Sequence, residues 1–133
     1  MPQGNGEKIY IIDDDRDIVF AVQTMLQLSG YQIETSLNGD ILERLLVEPA
    51  RSAPAIILVD MLLSGKNGCD LIIALRQCTH TRHIPVIMLS AYPYGKQRAL
   101  NAGADAFLSK PFQMRELLAC IKRLLSSQAR EAT

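Results

Sequence analysis

The chain has no apolar run approaching the ~18 residues of a membrane span, and its first residues, MPQGNGE, lack the basic start and apolar stretch of a secretory signal. A cytoplasmic location is expected. Net charge is lacking too: 14 Lys plus Arg balance 14 Asp plus Glu, which argues against a general binder of nucleic acid or anionic membranes. The three cysteines, Cys69, Cys78 and Cys120, are odd in number and sit at no metal-finger spacing, so they read as reduced, mostly buried thiols and not as a disulfide framework. With 8 Gly and 6 Pro there is no low-complexity segment, and no internal repeat is visible. What remains is 133 residues, 48% hydrophobic and 21% charged, enough for one globular domain that buries about two-thirds of its unfolded surface.

The balanced charge is unevenly spread. Residues 85–133 hold seven Lys or Arg against three Asp or Glu, whereas the first 84 hold seven against eleven. Four short apolar runs, Ile9–Ile12, Ile56–Val59, Val86–Leu89 and Ala106–Leu108, read as strands covered on both faces, and Gln32–Ser36 alternates like an edge strand. Between them lie segments of helical period. The first carries Ile18, Val22, Met25 and Leu26 and is closed by Gly30. The second carries Ile41, Leu42, Leu45 and Leu46, opened by Asp40 with Glu43 as a capping box and closed before Pro49. Leu71, Ile72 and Leu75 mark a third, Lys96–Ala102 a short fourth between Gly95 and Gly103, and about 113–126 a fifth with Leu117, Leu118, Ile121, Leu124 and Leu125 on one stripe. Five alternations imply right-handed crossovers and a doubly wound α/β sandwich around a parallel sheet. One domain over 1–133 is expected, with a core of about 8–126 and flexible polar ends at 1–7 and 127–133.

In open parallel sheets, ligands gather outside the carboxyl ends of the strands. There stand Asp13, Asp14 and Asp15 after the first strand, Asp60 after the third, Ser90 after the fourth, and Ser109 and Lys110 after the fifth. Singly, each has an ordinary explanation: Asp15 as a helix N-cap, Ser90 as a loop hydroxyl, Lys110 as a surface charge. Together, carboxylates crowded at one sheet end repel unless a cation neutralises them. Carboxylate, carbonyl and water oxygens suit Mg²⁺ or Mn²⁺. A carboxylate beside such a metal attacks phosphorus in line to give an aspartyl phosphate, with Lys110 and the Ser90 hydroxyl on the remaining oxygens. Asp60 stands alone at its strand end and is the best nucleophile, while the adjacent Asp13 and Asp14 are placed to share a metal.

These motifs, IYIIDDD, IILVD, PVIMLSA and FLSKPF in that order, resemble the receiver domain of two-component response regulators, the CheY-like group, over about residues 8–125. The resemblance implies a flavodoxin-like sheet of order 2-1-3-4-5. It implies Mg²⁺ held by Asp14, Asp60 and the carbonyl of Leu62 with Asp13 assisting, and phosphoryl transfer onto Asp60 from the phosphohistidine of a sensor histidine kinase or phosphotransfer protein. Such a domain catalyses only its own phosphorylation and dephosphorylation. In the family Lys110 pairs with the phosphoryl group, Ser90 moves toward it, and Phe107 turns inward, which alters the face of helix four, strand five and helix five for a downstream partner. The Lys110–Pro111 peptide bond is expected to be cis. A monomer or phosphorylation-dependent dimer is expected, with neither nucleic acid nor membrane as a direct partner.

Departures from the family pattern carry their own expectations. Ser90 stands where Thr is commoner, and Ser64 where a Pro is frequent, so the loop after Asp60 should be looser. Ser90 and Lys110 are 20 positions apart, a couple fewer than in the family, so helix four should be short or displaced. Leu62 and Tyr92, two residues after Asp60 and Ser90, offer no group to orient an attacking water, so slow autodephosphorylation is expected. Competing readings are a binding-only degenerate receiver, a small Mg²⁺-dependent aspartyl-phosphate phosphatase, and a flavodoxin-like cofactor carrier. The phosphatase lacks a second carboxylate soon after Asp60, and the carrier lacks a Gly/Ser/Thr-rich phosphate loop. Cys78, His80 and His83 (CTHTRH) are weighed as transition-metal ligands against a solvated loop. Lys96, Arg98, Lys122 and Arg123 are candidates for docking an acidic partner. The output is either a separate protein or a module joined beyond the SQAREAT tail.

Overall fold

The computed structural model describes residues 6–48, 53–63, 65–92 and 94–132, with side chains through Ser127. Pro49, Ser64 and Pro93 fall outside the described residues. The main sheet has five strands, β1 Lys8–Ile12, β2 Gln32–Ser36, β3 Ile56–Asp60, β4 Val86–Ser90 and β5 Ala106–Ser109. They are all parallel, in the expected order β2-β1-β3-β4-β5. Helices α1 Arg16–Leu28, α2 Asp40–Val47, α3 Gly68–Gln77, α4 Lys96–Ala102 and α5 Met114–Ala132 alternate with them.

The side-chain period of two explains why the central strands are apolar throughout. Ile9, Ile11, Ile56, Leu58, Ile87 and Leu89 join residues of α1 and α5 in one core. Their neighbours Tyr10, Ile12, Ile57, Val59, Val86 and Met88 join α2, α3 and α4 in the other. Edge strand β2 leaves Gln32 and Glu34 in solvent. No helix among the described residues is long and apolar enough to cross a membrane.

Two sequence expectations are corrected. Asp40 is not the cap of α2 but its first residue: the N-cap is Gly39, at φ 83, with no side-chain cap bond. Asn38 Oδ1 accepts the Asp40 N–H at 3.1 Å, which frees Asp40 and Glu43 to reach Lys66 Nζ at 3.4 and 2.5 Å. The polar tail does not leave the fold at Ser126, because 127–132 continue α5. Gln, Ala, Arg and Glu are good helix formers, and no Gly or Pro intervenes. On either side of Ser64, which lies outside the described residues, Leu62–Leu63 pair antiparallel with Lys66–Asn67.

Arg76 of α3 ties together segments distant in sequence. Its Nε donates to the Gly103 carbonyl at 3.0 Å, its Nη1 to the Arg82 and Ile84 carbonyls at 2.9 and 2.7 Å, and its Nη2 to Asp105 Oδ2 at 2.8 Å. Asp105 in turn accepts the Val86 N–H at 2.8 Å. The turn between α4 and β5 is thereby fixed to α3 and to the start of β4.

Candidate functional site

Strands β3 and β4 run one residue beyond their apolar stretches because Asp60 and Ser90 still pair in the ladder, Asp60 opposite Leu89 and Ser90 opposite Ser109. Their side chains are therefore fixed at the carboxyl rim by the sheet itself. Asp13 follows β1 and donates its N–H to the Ser36 carbonyl at 3.1 Å. Asp15 caps α1 as expected, accepting from the N–H groups of Asp17 and Ile18, and its own N–H donates to Asp13 Oδ1 at 2.9 Å. Asp13 is fully buried and Asp60 is 7% exposed.

Lys110, carried past the end of β5, reaches back across the rim. Its Nζ lies 2.7 Å from Asp13 Oδ2 and 3.1 Å from Asp60 Oδ2. One oxygen each from Asp13, Asp14 and Asp60 lies within 4.8 Å of the others. Among the described residues this is the group gathered closely enough to hold a metal, and Cys78, His80 and His83 are not so gathered. Burial raises the Asp60 carboxyl above its ordinary value, as does the charge of Asp13, against the opposing hydrogen bond and charge of Lys110. Burial alone would lower the Lys110 ammonium, but its hydrogen bonds and ion pairs with Asp13 and Asp60 outweigh that and hold it above the usual lysine range. Three carboxylates gather at one rim, and their all-oxygen donor set fits a hard divalent cation.

The remaining predicted residues surround this cluster. The Leu62 N–H faces Asp60 Oδ1 at 3.4 Å, while its side chain is exposed. Ser90 is buried, its Oγ accepting from the Tyr92 N–H at 2.9 Å and its carbonyl from the Lys110 N–H at 2.7 Å. Tyr92 is exposed and meets Tyr94 edge-to-face with ring centroids 6.2 Å apart. Phe107 is half-buried and packs against the core on the α4 side. The Lys110–Pro111 bond is cis. Cys69 and Cys120 are buried and Cys78 half-buried, all free.

Three positions that shape the site carried no functional signal in the sequence. A Cβ on Gly68 would lie 2.3 Å from the Asp60 carbonyl oxygen, so only glycine lets α3 start this close to β3; the Asn67–Gly68 pair marks a turn, not this approach. Met61, which follows Asp60, packs its thioether against Gly95, where a Cβ would lie 2.7 Å from Sδ and the end of the methionine would have to shift.

A doubly wound parallel sheet with clustered carboxylates and a reaching lysine at its carboxyl rim defines a receiver of the two-component signalling type. A family profile described as response regulator receiver domain matches residues 9–122, and the chain belongs to that family. It is 36% identical over 120 residues to the transcriptional regulatory protein CpxR of Escherichia coli K12, covering 89% of this chain and 49% of that protein. It is 33% identical to the phosphate regulon transcriptional regulatory protein PhoB of Rhizobium meliloti, covering 89% of this chain and 52% of that one. The chain thus spans about half the length of these curated relatives. Among solved structures, a putative response regulator from Chloroflexus aurantiacus superposes with a TM-score of 0.82 at 27% identity, covering 91% of this chain and 98% of that one.

Proposed function

We propose that this receiver takes a phosphoryl group onto Asp60 from the phosphohistidine of a sensor histidine kinase or phosphotransfer protein, in the cytoplasm, and that the switched face is built by α4, β5 and α5. The observation that carries the reading is the Lys110 ammonium set between Asp13 and Asp60. An Asp60 oxygen attacks phosphorus, the nitrogen–phosphorus bond breaks, and the donor imidazole leaves with the electron pair. Lys110, already within 3.1 Å of Asp60, follows the incoming negative charge onto a phosphoryl oxygen. The Ser90 hydroxyl accepts from Tyr92 and keeps its own hydrogen to donate. Asp13, Asp14, Asp60 and the Leu62 carbonyl would hold Mg²⁺ or Mn²⁺, which when bound neutralises charge on the phosphoryl oxygens. The chain acts catalytically on itself alone.

Surface features support the partners. A cavity of about 240 Å³ beside Lys110, lined by Ile18, Ala21, Val22, Pro111, Phe112 and Met114, offers an apolar seat for the donor protein. A groove of about 550 Å³ holds Phe107 between Lys96 and Leu100 of α4 and Cys120 and Arg123 of α5. Basic residues on α4 and α5 fit an acidic downstream partner. The transcriptional role in the names of CpxR and PhoB belongs to proteins about twice as long; this chain contributes the receiver.

Borohydride reduction of the acyl phosphate followed by peptide mapping should mark position 60; a mark on Asp13 or Asp14 would overturn the assignment. Mg²⁺ at a hundred times its dissociation constant should raise unfolding stability by about 2.7 kcal/mol, and an unchanged melting temperature would remove the metal from the account. Neither Leu62 nor Tyr92 carries an amide or carboxylate, so the phosphoryl group should be long-lived. Leu62→Asn should shorten its half-life severalfold, and an unchanged decay rate would contradict the role given to that position.

A further inference from the structure

Helix α4 is a weakly self-supporting element. It has 7 residues, its N-cap Gly95 makes no side-chain cap bond, and its first turn holds Lys96 and Arg98 with no acidic residue. Cations there oppose the helix dipole, and so short a helix depends on what it packs against. Its carboxyl end is held: Gly103 adopts φ 114, its carbonyl is gripped by Arg76 Nε, and Ala99 is fully buried. At its amino end Gly95 donates its N–H to the Tyr92 carbonyl at 3.2 Å and lies against the Met61 thioether. A Cβ on Gly95 would lie 2.7 Å from Met61 Sδ and 2.9 Å from Met61 Cε. The backbone does not require glycine there, since φ −83 and ψ −8 suit any residue. The Met61 thioether packs against this glycine, and its end would have to shift to admit a Cβ.

Met61 is itself tied to the site. It directly follows Asp60, is 4% exposed, and is fixed on both sides of its backbone: its N–H donates to the Leu89 carbonyl at 2.9 Å and its carbonyl accepts the Gly68 N–H at 2.8 Å. Any shift of Asp60 that rotates the next peptide moves the thioether on which α4 begins. We infer that Met61 and Gly95 form a seat that couples Asp60 to the amino-terminal turn of α4, with Met61 as the positioning residue. The inference rests on Asp60 being the phosphoacceptor. Coupling is reciprocal, so loosening the seat also changes how readily Asp60 is modified.

Gly95→Ala, Met61→Ala and the double variant separate the possibilities, with hydrogen exchange of the α4 amides and the rate of labelling by acetyl phosphate with Mg²⁺ as readouts. In the unlabelled protein, Gly95→Ala should speed exchange across α4 by about tenfold while the central strands keep their protection. The effect should shrink in the Met61→Ala background, where the added methyl has room. Labelling of Gly95→Ala should differ severalfold from wild type. Unchanged α4 exchange in Gly95→Ala, or an equal effect in both backgrounds, would overturn the seat. Altered exchange with an unchanged labelling rate would overturn its coupling to Asp60. If the wild type takes no label from acetyl phosphate and none from a phosphorylated histidine donor, the phosphoacceptor reading itself fails, the coupling fails with it, and exchange alone decides whether Met61 seats α4.

Discussion

Lys110→Met should destabilise the protein by about 3 kcal/mol, which for a domain of this size lowers the melting midpoint by roughly 10 °C. The reason is an imbalance of charge in a dry place. The Asp13 and Asp60 side chains are 0% and 10% exposed, and the Lys110 ammonium bonds to both. Removing the cation leaves two like charges facing each other without compensation. The sign of the pH dependence follows from the shifts. Asp60 titrates above its ordinary value, so the folded form binds its proton more tightly than the unfolded chain does, and stability falls as pH rises through that interval. Without Lys110 the carboxyl is pushed higher still, so the variant should recover stability on acidification. Lys110 titrates above its ordinary value in the wild type, so its contribution is complete below the unfolded lysine range and is lost as alkaline pH passes the folded one. Mg²⁺ should rescue the variant more than it stabilises the wild type. Equal melting temperatures of the two proteins at neutral pH would contradict the electrostatic account of the pocket.

Arg76→Ala should cost about 2–3 kcal/mol, because three carbonyls and one carboxylate lose a charged donor in a partly buried setting. The Arg76 side chain is 22% exposed, and a Cβ on Gly103 would meet its Cγ at 2.8 Å, so the guanidinium stem is also packed. Arg76→Lys should not restore stability, since a single ammonium cannot serve four acceptors arranged for a planar fork. Urea unfolding checks this: the midpoint should fall for both variants with an unchanged slope. A lysine variant as stable as the wild type would show that charge, and not the fork, holds the turn between α4 and β5.

Long-period features were legible in the sequence and close contacts were not. The central strands announced themselves because burial on both faces demands unbroken apolar runs, and α4 was bounded correctly by Gly95 and Gly103. Rim residues could be listed because every strand ends at the same edge, and the structure gathers Asp13, Asp14, Asp60 and Lys110 there. Apolarity stopped one residue short at Asp60 and Ser90, whose backbones pair although their side chains are polar. The capping box at Asp40 misled because Asn38 competes for the same N–H. The hairpin after Asp60 has strands of two residues, too short for any periodicity. Arg76 and Met61 gave no signal, and Gly95 only that of a helix boundary, because their partners lie up to 34 positions away in the chain.

The most direct test is the intact mass of the wild-type chain after incubation with acetyl phosphate and Mg²⁺, beside Asp60→Ala and a chelator control. The account predicts one added phosphoryl group on the wild type and none in either control. An adduct that persists in Asp60→Ala, or a folded, Mg²⁺-bound wild type that takes none from acetyl phosphate or from a phosphorylated histidine donor, would contradict it.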